Sequence, residues 1–173
     1  MGKRTAKDIF TNIAYATVTE DGAGTLTFAE LNTGVSVHEK IAWVISRILW
    51  YPNRAGIRQI VDDTDSIDMA LTLNNQVADI TALSDPSVVD LFSLVGHTMG
   101  TQATGVLTLV PYVRDFSAMP GGGLIITPKP LYVAAVGTGL GLPIEVKCRI
   151  LYTIKELAAD EFWELVQASR IVQ

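Results

Sequence analysis

The stretch Ile144 to Lys155, IEVKCRILYTIK, constrains this chain more than any other. Ile144, Val146, Cys148, Ile150, Tyr152 and Ile154 fall on one face; Glu145, Lys147, Arg149, Thr153 and Lys155 fall on the other, with Leu151 the single exception. Alternation of this kind marks a half-buried β-strand. At about 3.3 Å per residue it extends for roughly 36 Å, well beyond a typical strand of about five or six residues. A strand so long needs long neighbours, which predicts a sandwich or barrel whose height it sets. An amphipathic segment from Leu157 to Ile171 follows directly and predicts a C-terminal helix. Its inner stripe is Phe162, Leu165, Val166 and Ser169, and Asp160 and Glu161 occupy the first turn, where the helix dipole favours anions.

The remainder of the chain reads as short β segments divided by turns. Residues Asn12 to Glu20 alternate, with Ile13, Tyr15, Thr17 and Thr19 opposite Ala14, Ala16 and Val18. The loop Asp21-Gly22-Ala23-Gly24 and the run Thr25 to Leu31 then predict a hairpin. The segment Val35 to Tyr51 fits both periods, but its β-branched and aromatic residues, ending at Pro52, favour a strand from Ile41 to Tyr51. Further strands are expected at Ile57 to Val61, Ser66 to Asn74, Val106 to Val113, Leu124 to Thr127 and Leu131 to Val136. Asp85-Pro86 offers an N-cap and first-turn proline, so Val88, Val89, Leu91, Phe92 and Val95 are expected on one short helix that Gly96 stops. No βαβ alternation, repeat or linker is visible. The fold class is therefore mainly β: one antiparallel sandwich or jelly roll of about eight strands, with one short mid-chain helix and the C-terminal helix. A single domain is expected over residues 1–173, with 1–11 a flexible N-terminal segment.

Composition narrows the function. Hydrophobic residues make up 49% of the 173, and charged residues only 18%, against about 25% in an ordinary globular domain. So little charge suggests that part of the surface is hidden in subunit contacts. The most apolar run, Ile41 to Tyr51, carries Ser46 and Arg47 and is too short to span a membrane, and no secretory signal is expected at the polar N-terminus. The net charge of −5 argues against strong nucleic-acid binding. Lys3, Arg4 and Lys7 give only a small basic start. The lone Cys148, on the inward face of the long strand, reads as a buried structural thiol.

Catalytic and ligand-binding patterns are sparse. His38 and His97 lie far apart in sequence, and neither belongs to an HxH pair. Gly34-Val35-Ser36-Val37-His38 departs from a nucleophile elbow at its final position and lacks the required strand before it. Gly137-Thr138-Gly139-Leu140-Gly141 leads through Pro143 into a strand, so a turn fits better than a phosphate loop. Asp62, Asp63, Asp65 and Asp68 form the densest carboxylate group. Solvated loop acids are the default there, with Asp62, Asp63 and Asp65 kept as a weak calcium candidate, the one cofactor left open. Trp43 and Trp50, seven residues apart, are expected on opposite faces of one strand, in core or interface packing.

Taken together, the many-stranded pattern with a short helix inserted midway, the segment PGGGLIITPKPLY from Pro120 to Tyr132 and the long final strand resemble a single jelly-roll viral capsid protein. Coat proteins of small RNA viruses commonly carry a basic N-terminal arm, which this chain lacks. Its acidity is more similar to the small major capsid proteins of icosahedral DNA viruses. The resemblance implies assembly rather than catalysis, with copies of the chain and other capsid proteins as partners. It implies a virion location after synthesis in the host cytoplasm, and a Gly121–Gly123 loop that adapts to non-equivalent positions. Phe162, Trp163, Leu165 and Trp50 are the candidate interface residues. Two other classes stay open: a phage tail, fibre or baseplate component, told apart by tube or trimer symmetry, and an enzyme or carbohydrate-binding sandwich, told apart by a deep polar pocket.

Overall fold

The structure, a computed structural model, describes residues 11–31, 41–81, 85–96, 111–127 and 129–171. In chain order the described elements are β1 (Asn12–Thr19), β2 (Thr27–Leu31), β3 (Ile41–Pro52), α1 (Arg54–Ile57), β4 (Ser66–Thr72), β5 (Val88–Val95), β6 (Tyr112–Asp115), β7 (Leu124–Ile126), β8 (Leu131–Thr138), β9 (Glu145–Glu156) and α2 (Ala159–Ile171). They form two antiparallel sheets. Sheet A has the order β1-β9-β3-β6, with β7 also on β3; sheet B has the order β2-β8-β4-β5.

Strands β6 and β7 pair successive stretches of the same β3 edge, Arg47–Trp50 and Trp43–Ile45, and so act as one strand interrupted by two turns. Counted that way there are eight strands, and their pairing is nested: first with last, second with seventh, third with sixth, fourth with fifth. That wrapping is a jelly roll. The expected fold class stands on this strand order.

The long alternating stretch forms β9, at the centre of sheet A between β1 and β3. Val146, Cys148, Ile150 and Tyr152 are buried, and their partners Trp50, Ile48 and Ile45 on β3 share the inner face. Trp43 and Trp50 were expected on opposite faces, yet both are buried in the same core. The cause is a bulge: Ser46 is an extra residue between the pairs Ile45–Tyr152 and Arg47–Leu151. One inserted residue shifts the alternation by one position, which restores both indoles to the inside. The Ser46 hydroxyl holds the bulge by donating to the Leu151 carbonyl (3.2 Å), and the Ser46 carbonyl accepts from Phe116 N–H (2.8 Å).

Three other expectations are corrected. Strands β1 and β2 do not form a hairpin, because they lie in different sheets. Gly24, at φ +75°, helps turn the chain over the sandwich edge, and the buried Glu20 carboxylate anchors the corner, accepting from Gly137 N–H (2.7 Å) and Ile144 N–H (2.9 Å). The strand expected at Ile57 to Val61 is the single-turn helix α1 and its exit, capped by Asn53 Oδ1 accepting from Gly56 N–H (2.6 Å). The helix expected after Asp85-Pro86 is strand β5. Asp85 does start a turn, accepting from Ser87 N–H (2.8 Å), but β-branched Val88, Val89 and Val95 continue into the β4 ladder. The strand expected at Val106 to Val113 appears as β6, and its residues 106–110 lie outside the described residues.

Sheet B is buried on both sides. Its inner face supplies Ile67, Met69, Leu71, Leu131 and Val133 to the main core. Its outer face supplies Ala70, Val88 and Ala134 to a second core closed by Val77 and Ile80. Double burial reaches even the alternate residues of β4, Asp68, Ala70 and Thr72, all of which are buried.

Candidate functional site

The outer face of sheet A is closed at one end, where Ala42 and Val44 are buried. Along β1 and the adjoining half of β9 it is open. The register places Tyr15 beside Arg149, and Arg149 beside Leu49, which pairs with Val113 of β6. One row along, Thr17 lies beside Lys147, and Lys147 beside Tyr51. A groove of about 250 Å³ runs between these rows, lined by Tyr15, Thr17, Tyr51, Lys147 and Arg149 with Ala16 and Cys148 beneath. Tyr15 is 73% exposed and Ile13 60%. These large side chains point outward because the small Ala14 and Ala16, with Val18, are the ones packed against the opposite sheet. The face is thus cationic along the central strand β9 and aromatic or apolar on its flanks, at Ile13 and Tyr15 of β1 and Val113 of β6. Lys147 makes an exposed contact with Glu145 (3.4 Å), whereas Arg149 has no ion pair among the described residues.

Helix α2 is the second open surface. Its start carries half of a capping box, since Glu161 Oε2 accepts from Ala158 N–H (3.2 Å). Asp160 and Glu161 sit in the first turn, as expected. Among the α2 residues whose side chains are described, 159–167, none belongs to either core. Trp163 is 56% exposed, and its ring meets Phe162 edge-on at 6.1 Å. Phe162 and Leu165 are half-buried. Three of the four candidate interface residues therefore lie together on this helix.

The fourth, Trp50, does not. It is fully buried and its Nε1 donates to Asp90 Oδ2 (3.4 Å), so it is a core residue and offers nothing to a neighbour. Asp90 also accepts from Arg114 Nε (3.0 Å), tying the edge strand β5 of sheet B to β6 of sheet A. Burial pushes the Asp90 carboxyl above its ordinary value, against the opposing pull of the Arg114 charge.

The aspartate group disperses. Asp65 is buried, with Oδ2 occupied by Val61 N–H (2.8 Å) and Asp62 N–H (2.9 Å), and Asp68 accepts from Ser66 Oγ (2.8 Å) on β4. Asp62 and Asp63 stay exposed, and hydrogen bonding with the Asp63 side chain first, and from Asp63 N–H to Asp62 Oδ1 (2.6 Å) second, lowers the Asp62 carboxyl. Among the described residues, no three His, Cys, Asp or Glu side chains converge as a cation would require. Cys148 is buried and its thiol is pushed far up by burial first and by the Asp90 charge second, as suits a structural thiol. Gly137–Gly141 makes the turn from β8 to β9, with Gly139 at φ +75°. His38, His97 and the Gly34–His38 stretch lie outside the described residues.

Sequence reasoning missed the open groove and the buried acids Glu20 and Asp90. Alternation gave the outward residues of each strand, but only the β1–β9 register sets Tyr15 next to Arg149.

No protein-family model matches the chain, and no curated protein matches it. Among solved structures it is similar to the VP1 protein of Merkel cell polyomavirus, solved in complex with disialyllactose. The identity is 10% and the TM-score 0.37, over 91% of this chain and 84% of that one. The jelly-roll assignment rests on the strand order above rather than on this likeness. No described helix is long and apolar enough to cross a membrane.

Proposed function

We propose that this chain is a structural coat subunit, a jelly roll whose copies, alone or with a second capsid protein, build a closed icosahedral shell. The observation that carries the reading is helix α2: its described side chains, 159–167, join neither core, and Trp163 stands exposed on an amphipathic helix. A large aromatic in that position suits a contact between subunits. The low charged fraction and the exposed apolar side chains on the outer face of sheet A support the same reading. On this reading the chain is no enzyme, it resides in the virion after synthesis in the host cytoplasm, and other components handle the genome. The acidic balance supports the DNA-virus form of the proposal.

The test is light-scattering mass on a sizing column with negative-stain microscopy of the same fractions. Closed shells or rings are expected. Tubes or trimeric fibres would transfer the chain to the tail-component reading. A monomer at every concentration, with and without co-expressed coat proteins, would overturn self-assembly. Replacing Trp163 by Ala should abolish particles while leaving the subunit's melting temperature unchanged.

A further inference from the structure

We propose that the groove on the outer face of sheet A receives Trp163 from a second copy of this chain. The inference rests on the self-assembly reading and specifies its contact. Size comes first. At about 250 Å³ the groove is smaller than a ligand cleft, which spans about 300–1,000 Å³. It suits one aromatic side chain. Tyr15 and Tyr51 offer ring surfaces for an indole, and Lys147 and Arg149 offer cations that bind its π face. Trp, Tyr and Arg are also the residue types that dominate interface energetics.

Charge points the same way. Asp160 precedes Trp163 by three residues and shares its side of the helix. Glu164 follows it directly and places a second carboxylate one step around the helix from the exposed indole. The groove presents the complement, with Arg149 unpaired among the described residues and Lys147 held only by an exposed contact. An acidic helix carrying one aromatic knob thus meets a cationic groove with aromatic walls.

The structure assigns the knob to a different copy: Trp163 is not among the residues that line the groove and stays 56% exposed, so its own indole does not fill it. Because knob and groove are different surfaces, the contact is heterologous, and repeated copies close into a ring or shell when the rotation between them permits.

The test compares full-length wild type with Arg149→Glu, Asp160→Arg, Glu164→Arg and Trp163→Ala by sedimentation velocity over a concentration series. Each single change should raise the concentration for half-assembly by about tenfold or more, as expected for a central interface residue. Arg149→Glu combined with either acidic-to-Arg change should recover most of that loss. Circular dichroism checks that α2 remains helical in the Asp160 variant; Glu164→Arg, outside the first turn, provides the second route. Swaps that add rather than rescue, in a protein that still forms shells, would overturn this contact and leave the coat reading intact. Loss with Arg149→Glu but not with Trp163→Ala would also overturn it, giving the groove to another acidic segment or partner. A wild type that never associates removes both.

Discussion

The two sheets treat their outer faces differently. Sheet B is covered by its own chain: the segment between β4 and β5 folds back and seals Ala70, Val88 and Ala134 under Val77 and Ile80. Sheet A leaves Ile13, Tyr15 and Val113 in the open over much of its width. Both faces carry apolar side chains, but sheet B's are sealed within the subunit, whereas those of β1 and β6 on sheet A stay in the open beside Lys147 and Arg149. The difference separates residues that stabilise the fold from residues that are free to serve association, although the two look alike as sequence.

The inner face common to both sheets sets the scale for testing this. Trp50→Ala should cost about 3–5 kcal/mol, since it removes a fully buried indole and the donor to Asp90. A shift in the urea midpoint, with the slope unchanged, measures it. Next in size is Ile80→Ala, which opens the cover on sheet B and should cost about 2–5 kcal/mol by the same measurement. A loss under about 0.5 kcal/mol would mean that the cover is decorative and the contrast between the faces empty.

The third effect is smaller and depends on pH. Asp90 lies at the seam between the sheets, and burial raises its carboxyl above the ordinary 3.8. A carboxyl raised in the folded state favours folding while it is protonated, and that advantage disappears as pH climbs through the folded value. Wild type should therefore lose stability relative to Asp90→Asn as pH rises from about 4. Melting curves of both proteins across pH 3 to 7 read the difference, and parallel curves would reject a raised Asp90. The smallest effect belongs to sheet A: Tyr15→Ser should change subunit stability by no more than about 0.5 kcal/mol while weakening assembly.

How much of this could be read in advance followed from how many sides of each strand are buried. Strand β9 alternates cleanly because one face meets the core and the other solvent. Strand β5 has Asp90, Phe92 and Leu94 turned to one core and Val88 and Leu91 to another. Its apolar residues consequently fit a helical stripe as well as a strand. The Ser46 bulge left no local mark, since a serine in a strand does not announce an extra residue. Strict parity therefore sets Trp43 and Trp50 on opposite faces, whereas the bulge buries both, Trp50 included. Helix α2 was legible from its own period and its acidic first turn. The groove was not, because it depends on which strand becomes the neighbour of β9.

The nested pairing also dictates an order of events during synthesis. Glu20 at the end of β1 holds Ile144, 124 residues further along the chain, and β9 separates β1 from β3 in the finished sheet. On the ribosome, β1 and β3 emerge early and must wait, edges unsatisfied, for the strand that joins them. Contacts of such long range close slowly, and waiting edges invite pairing with other nascent chains. Sheet A is therefore completed after sheet B, and its groove cannot exist before residues 145–156 have been translated. On the proposed contact, a chain that has not yet made β9 offers no groove and so cannot join an assembly.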